Sequence, residues 1–171
     1  MARGGKVKKT YDLNKLSRKL ASNITTGINQ LGKSINKEIG VNLRKEIDID
    51  EKPFEPLKDS TLEIKQRRGF GDNILKESGK MENRKLTQAA PTNPVLTIEM
   101  THKGRKGVMY GGLHHTGYTT SKKSAIRGEF DVPARKWFGV PKSCRPGGPE
   151  WKKAATRTTL LNRVAWRKSG S

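Results

Sequence analysis

The sequence predicts an α/β domain of the α+β kind, a small antiparallel sheet packed with a long N-terminal helix and a C-terminal helix. Three observations predict it. Apolar residues from Leu13 to Ile39 recur at gaps of three or four, the period of one helix face. V95-L-T-I-E-M100 is rich in strand formers, and W151-K-K-A-A-T-R-T-T-L-L-N-R-V-A-W166 returns to helical spacing. With 171 residues, 32% hydrophobic and 30% charged, the expectation is one domain with a modest core. Its predicted bounds are 12–168, with a flexible basic arm at 1–11 and a tail at 169–171.

The arm, R3-G-G-K-V-K-K9, carries too few apolar groups to be held against a core. After it, Asp12 is placed to cap a helix whose stripe is Leu13, Leu16, Leu20, Ile24, Ile28, Leu31, Ile35 and Ile39, with Gly40 as its stop. Gly27 and Gly32 weaken the middle by about 1 kcal/mol each relative to alanine, which leaves one long helix and two helices with a bend both open. In either case a sheet or a neighbouring subunit must cover the stripe.

Beyond it, I47-D-I-D50 alternates like a strand, F54-E-P-L57 is a proline-stiffened turn, and D59-S-T-L-E-I-K65 reads as a short helix. Q66-R-R-G-F-G-D-N73 is a mobile loop without the G-K-[ST] ending of a phosphate cradle. I74-L-K-E-S-G-K-M81 reads as a short helix. The prolines of A89-A-P-T-N-P94 bar a central strand there. The strand at 95–100 is expected to turn at T101-H-K-G-R-K-G107 and pair with V108-M-Y110, with a second strand crossing 84–88. Residues 116–128 read as a mobile loop, and P146-G-G-P149 as the turn before the C-terminal helix.

The formal net charge of +20 is uneven. Residues 1–50 hold eleven Lys/Arg against five Asp/Glu, residues 51–100 nine against eight, and residues 101–171 sixteen against three. Such a field suits an anionic partner, whether DNA, RNA, lipid or an acidic protein surface, and does not choose among them. Arg67, Arg68, Lys103, Arg105, Lys106, Lys122, Lys123 and Arg127 are the candidate contacts with DNA or an acidic partner. Recognition of a base sequence is not expected, because no finger, helix-turn-helix or RNA-recognition pattern is present. Nonspecific binding of packaged DNA therefore stands as the alternative function.

Cys144 is the lone cysteine, so an internal disulfide and a cysteine zinc cluster are ruled out. His102, His114 and His115 lack a recognisable set of further ligands, and no Ser-His-Asp or coupled-acid pattern appears. The expectation is a nonenzymatic protein without metal or cofactor. No apolar run approaches the roughly 20 residues that span a bilayer, so no membrane partner is expected.

Y110-G-G-L-H-H-T-G117 and V132-P-A-R-K-W-F-G139 are the most distinctive segments. Prolines at 133 and 141 restrict the backbone around Trp137 and Phe138, with Arg135 beside them. An inter-subunit surface and an internal aromatic core explain the two rings about equally well.

These two segments, following F54-E-P-L57 with Thr61 and I74-L-K-E-S-G79 with Met81, resemble in order and spacing the phage virion morphogenesis, or tail completion, family. The likeness runs from about residue 50 to residue 165. It matches Tyr110, His114 or His115, and Gly117 in one motif, and Pro133, Arg135, Trp137, Phe138 and Gly139 in the next; Trp137 stands where phenylalanine is common. The resemblance implies a structural protein of the head-tail joining or tail-terminator type, in the virion at the neck or head-proximal end of the tail, assembled in the host cytoplasm. It implies a homo-oligomeric ring, hexameric if it follows the sixfold symmetry of a tail. Expected neighbours are neck, connector, tail tube or sheath proteins. Tyr110, His114, His115, Arg135, Trp137 and Phe138 are then expected to form or support the inter-subunit surface.

Overall fold

In a computed structural model, the described residues are 12–75, 82–101, 110–119 and 131–156, and of Tyr110 the backbone alone. Expectations for the arm at 1–11, for 76–81, for the turn and strand over 102–109, and for the C-terminal run beyond 156 lie outside them.

Helix α1 spans Leu13–Lys45. At 1.5 Å per residue its 33 residues reach about 50 Å. Asp12 caps it as expected, its side chain accepting the Lys15 N–H at 3.0 Å. The helix is continuous through both glycines. At Gly32 a methyl group would sit 2.0 Å from Leu96 Cδ1, so the missing side chain lets the sheet approach.

Gly40 is not the stop. It is buried within the helix, close to Arg84, whose Nε and Nη2 donate to the Asn36 side chain at 2.8 Å and to its carbonyl at 3.1 Å. The helix ends instead at Glu46, which adopts a left-handed φ of 57° while Ile47 N–H reaches back to the Asn42 carbonyl at 3.0 Å. This is the six-to-one bond that closes helices whose next residue is left-handed. Glycine is the usual residue there. Here the glutamate side chain has a second task, accepting the Ile74 N–H at 2.7 Å.

After α1 the chain folds back at once. Ile47 bridges Pro53, and Phe54 N–H bonds the Glu46 carbonyl at 2.8 Å. The alternation at 47–50 thus yields an isolated bridge and a turn, because Asp48 Oδ1 accepts the N–H groups of Asp50 and Lys52, both at 2.8 Å. Helix α2, Asp59–Arg67, follows as predicted and contains no buried residue.

Strands β1, Arg84–Thr87, and β2, Thr97–Met100, pair antiparallel with Leu86 opposite Ile98. The predicted partner of β2 was residues 108–110. The structure pairs it with β1, the strand expected over 84–88; of the predicted partner, 108–109 lie outside the described residues and Tyr110 opens helix α3, Tyr110–Thr116. The A89–P94 turn is held to α1 by a reciprocal pair, Asn29 Nδ2 to the Ala89 carbonyl at 2.9 Å and Ala89 N–H to Asn29 Oδ1 at 2.8 Å. That pair ties the hairpin to the helix by side-chain chemistry that periodicity does not reveal.

A second ladder pairs β3, Tyr118–Thr119, with β4, Asp131–Val132. The mobile loop predicted over 116–128 therefore begins as helix end and strand, and 120–128 lies outside the described residues. A 3-10 turn at Lys142–Cys144 leads through the predicted glycine turn to helical residues 149–156. In that last run Trp151 and Ala155 are exposed and Ala154 is half-buried. The whole is a mixed α/β fold with small antiparallel sheets and helices at both ends.

The core gathers at one end of α1. Ile39 and Leu43 meet Phe54, Ile74 and Trp137, with Ile35, Leu57, Leu75, Met100 and Phe138 packed around them. The first four apolar positions of α1 take no part in it.

Candidate assembly site

The segments 110–117 and 132–139 are brought together as one lock. Arg135 N–H donates to the His114 carbonyl at 2.9 Å, and Trp137 Nε1 donates to the Gly111 carbonyl at 2.9 Å. Two glycines make the approach possible. A methyl on Gly111 would meet Met100 Sδ at 2.6 Å and Trp137 Cζ2 at 2.7 Å. At Gly117, φ is +74° and a methyl would lie 2.8 Å from Ala134 N, against rigid backbone.

Trp137 is 1% exposed and Arg135 4%. Both are therefore interior to this chain, where they fix a surface without forming it. Phe138 stands edge-on to Trp137, ring centres 5.4 Å apart, and is half-buried. Its N–H points to His115 Nδ1 at 3.4 Å. His114 lies edge-on to Tyr118 at 6.0 Å.

Arg135 spans the lock to the preceding segment, donating from Nη2 to the Glu55 carbonyl at 3.1 Å. Burial lowers its pKa, opposed by the charges of Glu55 and Tyr118; a guanidinium starts so high that it stays cationic. For His114, burial is again the larger cause and the Arg135 charge the second, and both push the imidazole pKa below its ordinary value. The neutral ring is thus the form that fits. His114 Nδ1 and Arg135 Nε are buried without a hydrogen-bond partner among the described residues.

Of the proposed anion contacts, Arg67 and Arg68 are exposed at the end of α2, with Arg67 3.8 Å from Glu63. Lys103, Arg105, Lys106, Lys122, Lys123 and Arg127 lie outside the described residues. One feature escaped the sequence reading, the peptide contact of Arg135 with Glu55, which joins residues 80 apart and has no local signal. The stripe of α1, expected to be covered by a sheet or a neighbouring subunit, is left bare by this chain at its N-terminal end: Leu13 is 73% exposed, Leu16 54%, Leu20 52% and Ile24 45%.

The model of the phage virion morphogenesis family matches residues 7–146. The chain belongs to that family. The match takes in α1, beyond the start of the resemblance at residue 50, and stops before the helical run at 149–156. No curated protein and no solved structure matches. A family member with this match acts in building the phage particle, which fits a lock made for rigidity. No helix among the described residues is long and apolar enough to cross a membrane.

Proposed function

We propose that this virion morphogenesis protein completes or terminates the tail at its head-proximal end, as a ring of copies that helps join the tail to the DNA-filled head. The observation that carries the reading is a subunit with elements left over. The stretch of α1 from Leu13 to Ile24 and all of α2 hold no buried residue in this chain, as expected of a part made for an assembly.

The lock between α3 and 132–139 supplies the stiffness. Arg135 and Trp137 hold it from inside, while His115 and Phe138 reach its partly exposed side, where a neighbouring copy or a neck, connector, tube or sheath protein could meet it. Repeating a net charge of +20 around a ring makes a strongly positive collar. Its counterpart is packaged DNA or an acidic protein face.

The test is to remove the chain from an infecting phage and image the products. Expected are DNA-filled heads and separate tails with defective upper ends. Normal joined particles would refute the role. The charge also favours a second reading, a structural protein that binds packaged DNA nonspecifically. Filter binding across a salt series separates the two: steep, salt-sensitive affinity of the monomer supports the second reading, and ring formation with negligible affinity supports the first.

A further inference from the structure

We infer that the face of α1 bearing Lys33, Lys37 and Arg44, with Arg84 reaching onto it at Gly40, is a binding site for the phosphate backbone of DNA. The inference rests on packaged DNA being what the positive collar faces, and it names the surface that meets it.

Positions 33, 37, 40 and 44 follow one another at helical spacing, so they form one row along α1. Lys33, Lys37 and Arg44 are exposed, and none of the three makes a hydrogen bond or ion pair among the described residues. The flanks of the row are fixed. On one side Asn36 holds Arg84 through its side chain and its carbonyl; on the other, Ser34 donates to Glu150 of the C-terminal helical run at 3.2 Å. A cleft opens there between Lys33 and Lys153.

At Gly40 the helix backbone is bare. Arg84 Nη2 lies 3.0 Å, and Arg44 Nη1 3.6 Å, from the point where a side chain would begin. Two guanidiniums thus border one gap, near enough to share a phosphate. Burial is the larger cause that lowers the Arg84 pKa, Glu82 opposes it, and the Arg44 charge adds to it; the group stays cationic. An anion at the gap relieves that repulsion.

The nearby carboxylates do not cancel the row. Glu38, the one acid of α1, is offset from it by its spacing. Glu150 is taken by Lys153 and Ser34, with Lys37 a weaker influence, and Glu82 acts on Arg84. Lys33, Lys37, Arg44, Arg84 and Lys153 therefore stand against two carboxylates. From Lys33 to Arg44 the row runs about 16 Å, the rise of about five nucleotides of one strand at about 3.4 Å each. Unevenly spaced cations suit a polymer charged at every nucleotide, because no single register must be matched. An acidic protein face would have to set each carboxylate opposite a cation.

The test is binding of the full chain to a labelled duplex of about 30 base pairs and mixed sequence, across a salt series. The row variant is Lys33→Gln with Lys37→Gln and Arg44→Gln. The control, Lys58→Gln with Arg67→Gln and Arg68→Gln, removes the same charge from exposed positions around α2. Circular dichroism melting checks that both fold. The row variant is expected to lose affinity by about tenfold or more, with a salt slope shallower by about 2 to 3, while the control stays within about threefold of the wild type. In the wild type, bound DNA should protect Lys33 and Lys37 from acetylation, read by mass spectrometry, and leave Lys58 reactive. The inference is overturned if the control loses as much as the row variant, because overall charge then suffices, or if Lys33 and Lys37 stay reactive. It also fails if polyglutamate binds this row more tightly than DNA, which makes the partner an acidic protein. A wild-type chain that does not bind DNA overturns the reading of the collar along with the site, whereas normal binding by the row variant overturns the site alone. The virion role is judged separately, on particles made without the chain.

Discussion

The two halves of α1 carry the same apolar period and meet opposite fates. Toward the C-terminal end, Ile39 and Leu43 are buried against Phe54 and Trp137. Toward the N-terminal end, Leu13 to Ile24 face solvent. Gly32 stands between them, where Leu96 packs directly on the helix backbone. Periodicity therefore marks a face that needs covering, but it does not say whether the same chain covers it. The buried half holds the fold, and the bare half is available to a neighbour.

The sharpest way to break this comparison is to empty the buried end. Trp137→Ala removes the largest side chain of the core and its bond to the Gly111 carbonyl, so denaturant unfolding should show a loss of about 3–5 kcal/mol. A loss under 1 kcal/mol would mean that the lock does not hold the domain. Next in size is Gly32→Ala at the boundary. Helix propensity alone predicts a gain of about 1 kcal/mol. The methyl group would lie 2.0 Å from Leu96 Cδ1, so the expected outcome is a loss of about 1–3 kcal/mol. Leu96→Ala in the same chain should return part of it.

Much of this division was legible in the sequence and part was not. The Asp12 cap, the stripe, α2 and the strands at 84–88 and 95–100 rest on local chemistry, and each appears near its predicted place. Gly40 misled because a buried glycine inside a helix and one that ends it look alike in a string. Glu46 holds the left-handed position while its side chain accepts the Ile74 N–H, a contact 28 residues away that no local pattern marks. Asn29 and Asn36 hold the ends of β1 and its following turn to α1, contacts likewise without a local signal. At the lock, the sequence named the right segments and left interface and core open for the two rings. Burial places Trp137 in this chain's core and leaves Phe138 partly exposed.

A smaller effect probes the lock through pH. Burial and the Arg135 charge lower the folded-state pKa of His114, so the unfolded chain binds its proton more tightly. The contribution to stability is full above the unfolded value of about 6.5 and is lost as pH falls through the lower folded value. Thermal melts between pH 7.5 and about pH 5 should show this decline, and His114→Asn should flatten it. An unchanged slope in the variant would assign the decline to other groups.

The smallest effect belongs to the bare half, and its size is the point. Leu16→Ala removes a side chain that is 54% exposed, from a helix in which alanine is the better helix former. In dilute solution the change in unfolding free energy should stay within about 0.5 kcal/mol. If copies associate as the proposed ring requires, the same substitution should lower the melting temperature at higher concentration, because a partner that binds only the folded chain stabilises it by mass action. A concentration-independent loss at Leu16 would place its partner within the same chain, and the contrast between the two halves of α1 would disappear.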